Sequence, residues 1–240
     1  MALLQVRDIA KSFRGLKAVQ GVTFDVTKGE ILALIGPNGA GKTTCFNLIA
    51  GVFAPDRGSI VLDGTDITGR RPDEVCAAGI GRTFQIVKPF PQLTVADNVI
   101  VGALNRTSSV AEARREALRI LELLGLAQKR HDLAASLTLP ERKRLEVARA
   151  MATGPKLLLL DEVMAGLRPT ETDQMVAVFR RLNREAGLSI LLIEHVMRAV
   201  MALADRIVVL HHGETIAQGP PEQVVRDPAV LECYLGEEAL

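Results

Sequence analysis

Tryptophan is absent from the 240 residues, tyrosine occurs once, at Tyr234, and phenylalanine occurs seven times. Aromatic platforms for stacking a base are therefore scarce. Cysteine occurs three times, at Cys45, Cys76 and Cys233, with neither metal-ligand nor redox spacing. Residues 1–7 do not read as a signal peptide, and no lipidation box precedes Leu240. The expectation is a cytosolic chain whose thiols are reduced and packed as small hydrophobes. Charge of one sign is also lacking: 29 Lys and Arg oppose 28 Asp and Glu, for a net charge of +1. No basic field favours nucleic acid, and no nucleic-acid partner is expected. No apolar run reaches the length of a membrane span. The best candidates, residues 157–160 and 190–193, are short, flanked by charge and read as buried strands. Repeats, low-complexity tracts and convincing linkers are missing too.

What is present is a chain that is 48% hydrophobic, enough for one large core or a core with a smaller lobe. Its most informative segment is Gly36-Pro37-Asn38-Gly39-Ala40-Gly41-Lys42-Thr43, which follows the apolar run Ile31-Leu32-Ala33-Leu34-Ile35. This is a phosphate loop of the G-x-x-x-x-G-K-[ST] type, placed after a buried strand and before a helix. Gly36, Gly39 and Gly41 let the main chain curl so that its N–H groups surround a polyphosphate. Lys42 can reach the β- and γ-phosphates, and the Thr43 hydroxyl can ligate Mg²⁺. The helical pattern from Thr44 to residue 50 adds a favourable N-terminal dipole. The chain is expected to bind a nucleoside triphosphate.

Residues 3–6, 21–26 and 58–62 read as strands of a β lobe, and Arg82-Thr83-Phe84-Gln85 as a short strand running into a loop. From 95 to 130 the pattern is helical, with Ala117, Ile120, Leu121 and Leu124 on one face and Arg114, Arg115, Glu116 and Arg119 on the other. Residues 105–109 are the expected loop between two helices, and a further helix is expected from 139 to about 153. Strands and helices then alternate at 156–161, 170–185, 189–194, 197–204 and 206–210, which implies parallel strands with crossover helices. The fold class expected is α/β: one domain over 1–240 with a mainly parallel sheet, an N-terminal antiparallel β lobe and a helical insertion at 88–153.

Two strand ends carry candidate chemistry. The run Leu157-Leu158-Leu159-Leu160 ends in Asp161-Glu162, where ligands of open α/β sheets bind. Asp161 suits Mg²⁺ coordination, directly or through water, and Glu162 suits a general base acting on the attacking water. The strand Ser189–Ile193 is followed by Glu194-His195, and His195 is a candidate donor to a γ-phosphate. Gln85 can sense Mg²⁺ and the attacking water through its amide. A core histidine or a surface glutamine would be the bland alternative for either residue.

Taken together, these residues resemble the ATP-binding subunit of ABC transporters over essentially the whole chain. The resemblance implies a P-loop NTPase core that hydrolyses ATP with Mg²⁺. Gly36–Thr43 then correspond to Walker A, Asp161-Glu162 to Walker B and its catalytic glutamate, Gln85 to the Q-loop and His195 to the switch histidine. Ala165-Gly166-Leu167 correspond to the D-loop, and Phe13 to the aromatic that stacks on adenine. The strings RTFQIVKPFPQLTVADNVIVGA, LEVARAMATGPKLLLLDE and DPAVLECYLGEE look most like the branched-chain amino-acid importer branch. That likeness implies integral-membrane permease subunits as partners, a second ABC ATPase subunit, a solute-binding protein acting indirectly, and a place on the cytoplasmic face of the inner membrane. The loop after Gln85, Val87-Lys88-Pro89-Phe90, is where a short coupling helix of the permease is expected. A soluble ATPase of the same superfamily, a P-loop kinase, or an ABC ATPase serving another solute are the competing readings.

The chain departs from its family at one motif. Where the family has Leu-Ser-Gly-Gly-Gln, this sequence has Leu137-Thr138-Leu139-Pro140-Glu141. Leu139 adds bulk, Pro140 removes an N–H, and Glu141 brings negative charge toward a phosphate. The same string reads as a capping box that still starts a helix, with Arg142, Lys143 and Arg144 near enough to restore positive potential. The expectation is a weakened signature and pairing with a different ATPase subunit.

Overall fold

The computed structural model describes residues 2–85 and 88–235. Val87 and the end of the string DPAVLECYLGEE lie outside them. Two long strands, β1 (Ala2–Phe13) and β2 (Leu16–Thr27), pair antiparallel through residues 13–16. They are much longer than their alternating patterns suggest. The register between them shifts repeatedly, and Asp8 sits at φ +47°. Each shift resets the period-two pattern, so one strand reads as several short pieces. With β4 (Arg57–Leu62) and β5 (Thr65–Asp66) they form a four-stranded sheet in the order β2-β1-β4-β5.

The second sheet holds β3 (Ile31–Ile35), β6 (Ile80–Arg82), β7 (Leu157–Asp161), β8 (Ser189–Ile193), β9 (Arg206–His211) and β10 (Glu214–Gly219). Its order is β10-β9-β3-β8-β7-β6, parallel throughout except for the antiparallel edge strand β10. Along the central strands the pleat divides the side chains between two apolar layers. Ile31, Ala33, Leu158, Leu160, Ile190 and Leu192 face one; Leu32, Leu34, Leu157, Leu159, Leu191 and Ile193 face the other. Continuous apolar runs are therefore required here, because both faces are covered. β6 ends at Arg82, so Thr83–Gln85 are not strand. The Thr83 N–H still bonds Leu159 O, at 2.9 Å, but its hydroxyl then accepts the Asp161 N–H, at 3.1 Å, and the chain leaves the sheet.

The helix α1 (Lys42–Ile49) follows β3 and buries Cys45, Phe46, Leu48 and Ile49 in the layer under the antiparallel sheet. The short α2 (Pro72–Ala78) precedes β6 and, like β5 and β10, had no clear periodic signal. The pattern from 95 to 130 resolves into α3 (Val95–Ala103), α4 (Val110–Leu123) and a 3₁₀ turn at Ala127–Lys129, with 105–109 as the connecting loop. Thr94 Oγ1 accepts the Asp97 N–H and Ser109 Oγ accepts the Glu112 N–H, each cap contributing about 1 kcal/mol. Ala117, Ile120, Leu121 and Leu124 are fully buried, as the amphipathic pattern requires. These helices pack on α5 (Leu139–Ala152), and the chain continues through α6 (Pro169–Ala186), α7 (Met197–Leu203), α8 (Pro221–Val224) and α9 (Pro228–Leu235). Among the described residues no helix is long and apolar enough to cross a membrane.

Candidate functional site

The loop after β3 lies at the C-terminal end of the parallel strands, in mid-sheet, where helix α1 starts. Gly36 and Gly41 have φ of +146° and +101°. A side chain at Gly36 would collide with the carbonyl oxygen of Leu210, and one at Gly41 with that of Ala18, so glycine is required at both for packing as well as for the turn. The Lys42 Nζ donates to the carbonyls of Gly36, at 2.6 Å, and Pro37, at 2.7 Å, which holds the ammonium against its own loop. The loop floors a cleft of about 720 Å³ whose wall includes Phe13, Asn38–Thr44, Gln85, Glu162 and His212. Phe13 is partly exposed there and meets Phe53 edge-on, with ring centroids 5.1 Å apart.

Three sequence candidates converge beside this cleft. The Gln85 Nε2 donates to one carboxylate oxygen of Glu162 at 2.7 Å, and His195 Nδ1 lies 4.0 Å from the other. Glu162 has φ +48°, a left-handed conformation that lifts its side chain out of the line of β7. Its N–H bonds Ile193 O, the last residue of the neighbouring strand. Thr43, Gln85 and Asp161 line an adjoining cavity of about 450 Å³. A hydroxyl, an amide oxygen and one carboxylate are hard oxygen donors of the kind Mg²⁺ takes together with phosphate. Among the described residues no group of three or more His, Cys, Asp or Glu could hold a metal by itself.

Asp161 is almost out of water, and burial raises its carboxyl pKa against the pull of the Arg82 guanidinium. Arg82 was not singled out from the sequence, yet it bonds Asp161 Oδ2 at 3.1 Å and Asn47 Oδ1, on α1, at 2.7 Å. No local pattern betrays such a partner; only the pairing of β6 with β7 brings it there. Glu194 was also overlooked, although a carboxylate at a strand end next to His195 was a usable signal. It is buried, accepts the Met164 N–H at 2.8 Å, and burial pushes its pKa up to about 7.

The departing motif is built as a helix start. The Glu141 carboxylate accepts both the N–H and the hydroxyl of Thr138, each at 2.9 Å, and this hydrogen bonding holds its pKa below the usual range. Lys129, 3.8 Å away, offsets its charge further. The neighbouring cations keep their charge, and each is directed to a fixed partner. Arg142 is spent on the Leu137 and Ala135 carbonyls, Arg144 on Gln174, and Lys143 is buried with its Nζ on Glu162 O. Leu139 is exposed, and its Cδ2 lies beside Gly166.

An apolar cleft of about 290 Å³ lies between α3, α5 and the loop after Arg82, lined by Val52, Phe84, Phe90, Val101 and Arg149. Phe90 is exposed, with the Arg149 guanidinium 4.9 Å from its ring centre, so it is not absorbed into the helices beside it. The buried Asn98 holds the Phe90 main chain by accepting its N–H and donating to its carbonyl.

Comparison with known proteins agrees with this fold. The family model described as ABC transporter matches residues 19–165, and the one described as branched-chain amino acid ATP-binding cassette transporter matches residues 214–239. The chain is 39% identical to the high-affinity branched-chain amino acid transport ATP-binding protein BraF of Pseudomonas aeruginosa, with 98% of each chain covered. It is also 39% identical to the corresponding protein LivG of Escherichia coli K12, again with 98% of each covered. Among solved structures, the ADP conformation of an ATP-binding cassette of an ABC transporter superposes with a TM-score of 0.90 at 32% identity, over 98% of this chain and 99% of that one. The chain belongs to the ATP-binding subunits of ABC transporters and is an ATPase of that family.

Proposed function

We propose that this chain is the motor subunit of an importer for branched-chain or related amino acids. One observation carries the hydrolytic half: Gln85, Glu162 and His195 form a contact chain at the mouth of the phosphate-loop cleft. Lys42 and the N–H groups of residues 36–44 would hold the triphosphate, while Phe13 takes the adenine. Mg²⁺ would sit among Thr43, Gln85 and Asp161 and offset charge on the β- and γ-phosphates. Because Gln85 donates its amide N–H to Glu162, its Oε1 is the oxygen it offers to the cation. Glu162 would take the proton of the attacking water, and His195 would donate to the γ-phosphate as charge develops there.

The transport half rests on the relatives named above, which are branched-chain amino acid transport ATP-binding proteins. In this reading residues 88–153 are a helical subdomain, and the cleft beside Phe90 receives a short helix of an integral-membrane permease on the cytoplasmic face of the inner membrane. A solute-binding protein acts only through that permease. The weakened segment 137–141 favours a second, different ATPase subunit as the partner across the nucleotide.

Purification through a tag on this chain, followed by uptake assays on the reconstituted complex, tests the proposal. Co-purification of a multi-span permease and ATP-dependent uptake of leucine, isoleucine or valine is the expected result. Uptake of an unrelated solute would remove the substrate class, and isolation without any membrane protein would remove the transport role.

A further inference from the structure

Glu162 is held in a left-handed conformation that a non-glycine residue keeps only when its surroundings over-determine it. Three elements supply that restraint. From β8, Ile193 O takes the Glu162 N–H at 3.0 Å. The Glu162 carbonyl accepts the Ala165 N–H, at 3.2 Å, and also the Nζ of Lys143, at 3.1 Å, which reaches it from the second turn of α5. The Glu194 carboxylate then ties down the next part of the turn through the Met164 N–H, 2.8 Å away.

Lys143 is 5% exposed and Glu194 1% exposed. A lysine is seldom placed so deeply unless something requires it, since burial penalises its charge. Here the Glu194, Glu162 and Asp161 carboxylates oppose that penalty. An apolar side chain would fill the space without the cost of burying a charge, so packing alone does not account for this residue. What Lys143 adds is a directed bond to the main chain of the residue whose carboxylate faces the cleft.

We propose that Lys143 is a positioning residue for ATP hydrolysis: it anchors the Glu162 carbonyl to α5 and, with Glu194 holding the far side of the turn, aims the Glu162 carboxylate at the attacking water. This rests on the reading of Glu162 as general base. Positioning acts on the chemical step rather than on nucleotide binding, because neither Lys143 nor Glu194 lines the phosphate-loop cleft.

The test uses the complex purified through a tag on the full chain, with steady-state ATPase measured for Lys143→Met, Lys143→Arg and Glu162→Gln. Lys143→Met should lower kcat by about tenfold to a hundredfold with KM for ATP unchanged, the size expected when a reacting group is misplaced by an ångström or less. Lys143→Arg, which retains a donor, should recover most of that loss. If Lys143→Met alone fails to assemble because the buried Glu194 loses its nearby cation, Lys143→Met/Glu194→Gln removes both ionisable groups, keeps an acceptor for Met164, and should show the same kcat loss. A kcat within about twofold of wild type for the assembled variant, with Glu162→Gln inactive, overturns the positioning role and leaves Glu162 in place. A matching rise in KM, or no recovery with arginine, also overturns it. Near-normal turnover by Glu162→Gln would instead remove Glu162 as the base, and this proposal with it.

Discussion

Arg82 joins the end of β7 to the helix that follows the phosphate loop: its Nη2 lies 3.1 Å from Asp161 Oδ2 and its Nη1 lies 2.7 Å from Asn47 Oδ1. Asp161 closes β7, and Asn47 stands on the helix that opens at Lys42. The side chains of Arg82 and Asp161 are 11% and 5% exposed, so the pair is nearly dry. Removing one member of such a pair leaves an uncompensated charge in low dielectric, which is where the large costs lie.

Arg82→Ala should therefore lose about 3–5 kcal/mol of unfolding free energy, measured by chemical denaturation of the isolated chain. Asp161→Asn in the same background should restore part of it, since the unpaired carboxylate is then gone. Additive losses in the double variant would show that the two side chains do not act on one another.

The phosphate loop, the two strand ends and the amphipathic helices were legible in the sequence because each is a local pattern. Residues 36–43 need only their own order, and the run 157–160 announces a strand buried on both faces. Arg82, Phe53 and Lys143 were not legible as site residues, because their partners lie on other elements. Lys143 reads as one of three consecutive cations at a helix start, yet α5 turns it inward to Glu162 while Arg142 and Arg144 go elsewhere. A stripe such as Ala117, Ile120, Leu121 and Leu124 can be counted off along a helix; which carbonyl a buried lysine reaches depends on how helix and sheet dock. The long hairpin β1–β2 was under-read for a different reason, since its register shifts break the alternation on which strand recognition depends.

Phe13 meets Phe53 edge-on and places a phenyl ring on the wall of the phosphate-loop cleft. Phe13→Ala should weaken ATP binding by about 1–3 kcal/mol, read by titration calorimetry, and should weaken GTP binding by a similar factor because stacking tolerates either purine. Unchanged affinity would place the adenine elsewhere.

Glu194 sets a pH dependence whose sign follows from its shift. Burial raises its pKa from 4.5 to about 7, against the Met164 and His195 N–H groups and Lys143, and with Glu162 adding to the rise. A raised folded-state pKa means the folded chain holds the proton more tightly than the unfolded one. The resulting stabilisation is fully present below about pH 4.5 and is lost as pH rises through about 7. Over that window the contribution is at most about 3 kcal/mol. Unfolding free energies at several pH values should show Glu194→Gln with a flatter profile than wild type, the two curves diverging between about pH 4.5 and 7. Parallel curves would mean that Glu194 does not titrate there.

The proposed pairing with a different ATPase subunit turns on the segment 137–141. In a head-to-tail ATPase pair each nucleotide lies between one chain's phosphate loop and the other chain's signature, and α5 is capped by Thr138, whose own donors are already committed. The Thr138 N–H and hydroxyl are both held by Glu141, Pro140 has no N–H to offer, and the exposed Leu139 stands where a close approach of main chain to phosphate is needed. A self-paired chain would carry this defect at both sites, whereas a partner with an intact signature would complete the site built on Lys42. The isolated chain should therefore hydrolyse ATP at least about tenfold more slowly, per phosphate loop, than the heteromeric complex, in keeping with the loss of fixed donors to a developing charge. Leu139→Gly/Pro140→Gly should raise the rate of the isolated chain, even though each glycine costs the helix start up to about 1 kcal/mol. Robust, cooperative hydrolysis by the unmodified chain alone would show that Thr-Leu-Pro-Glu is a working signature and that a second kind of ATPase subunit is not needed.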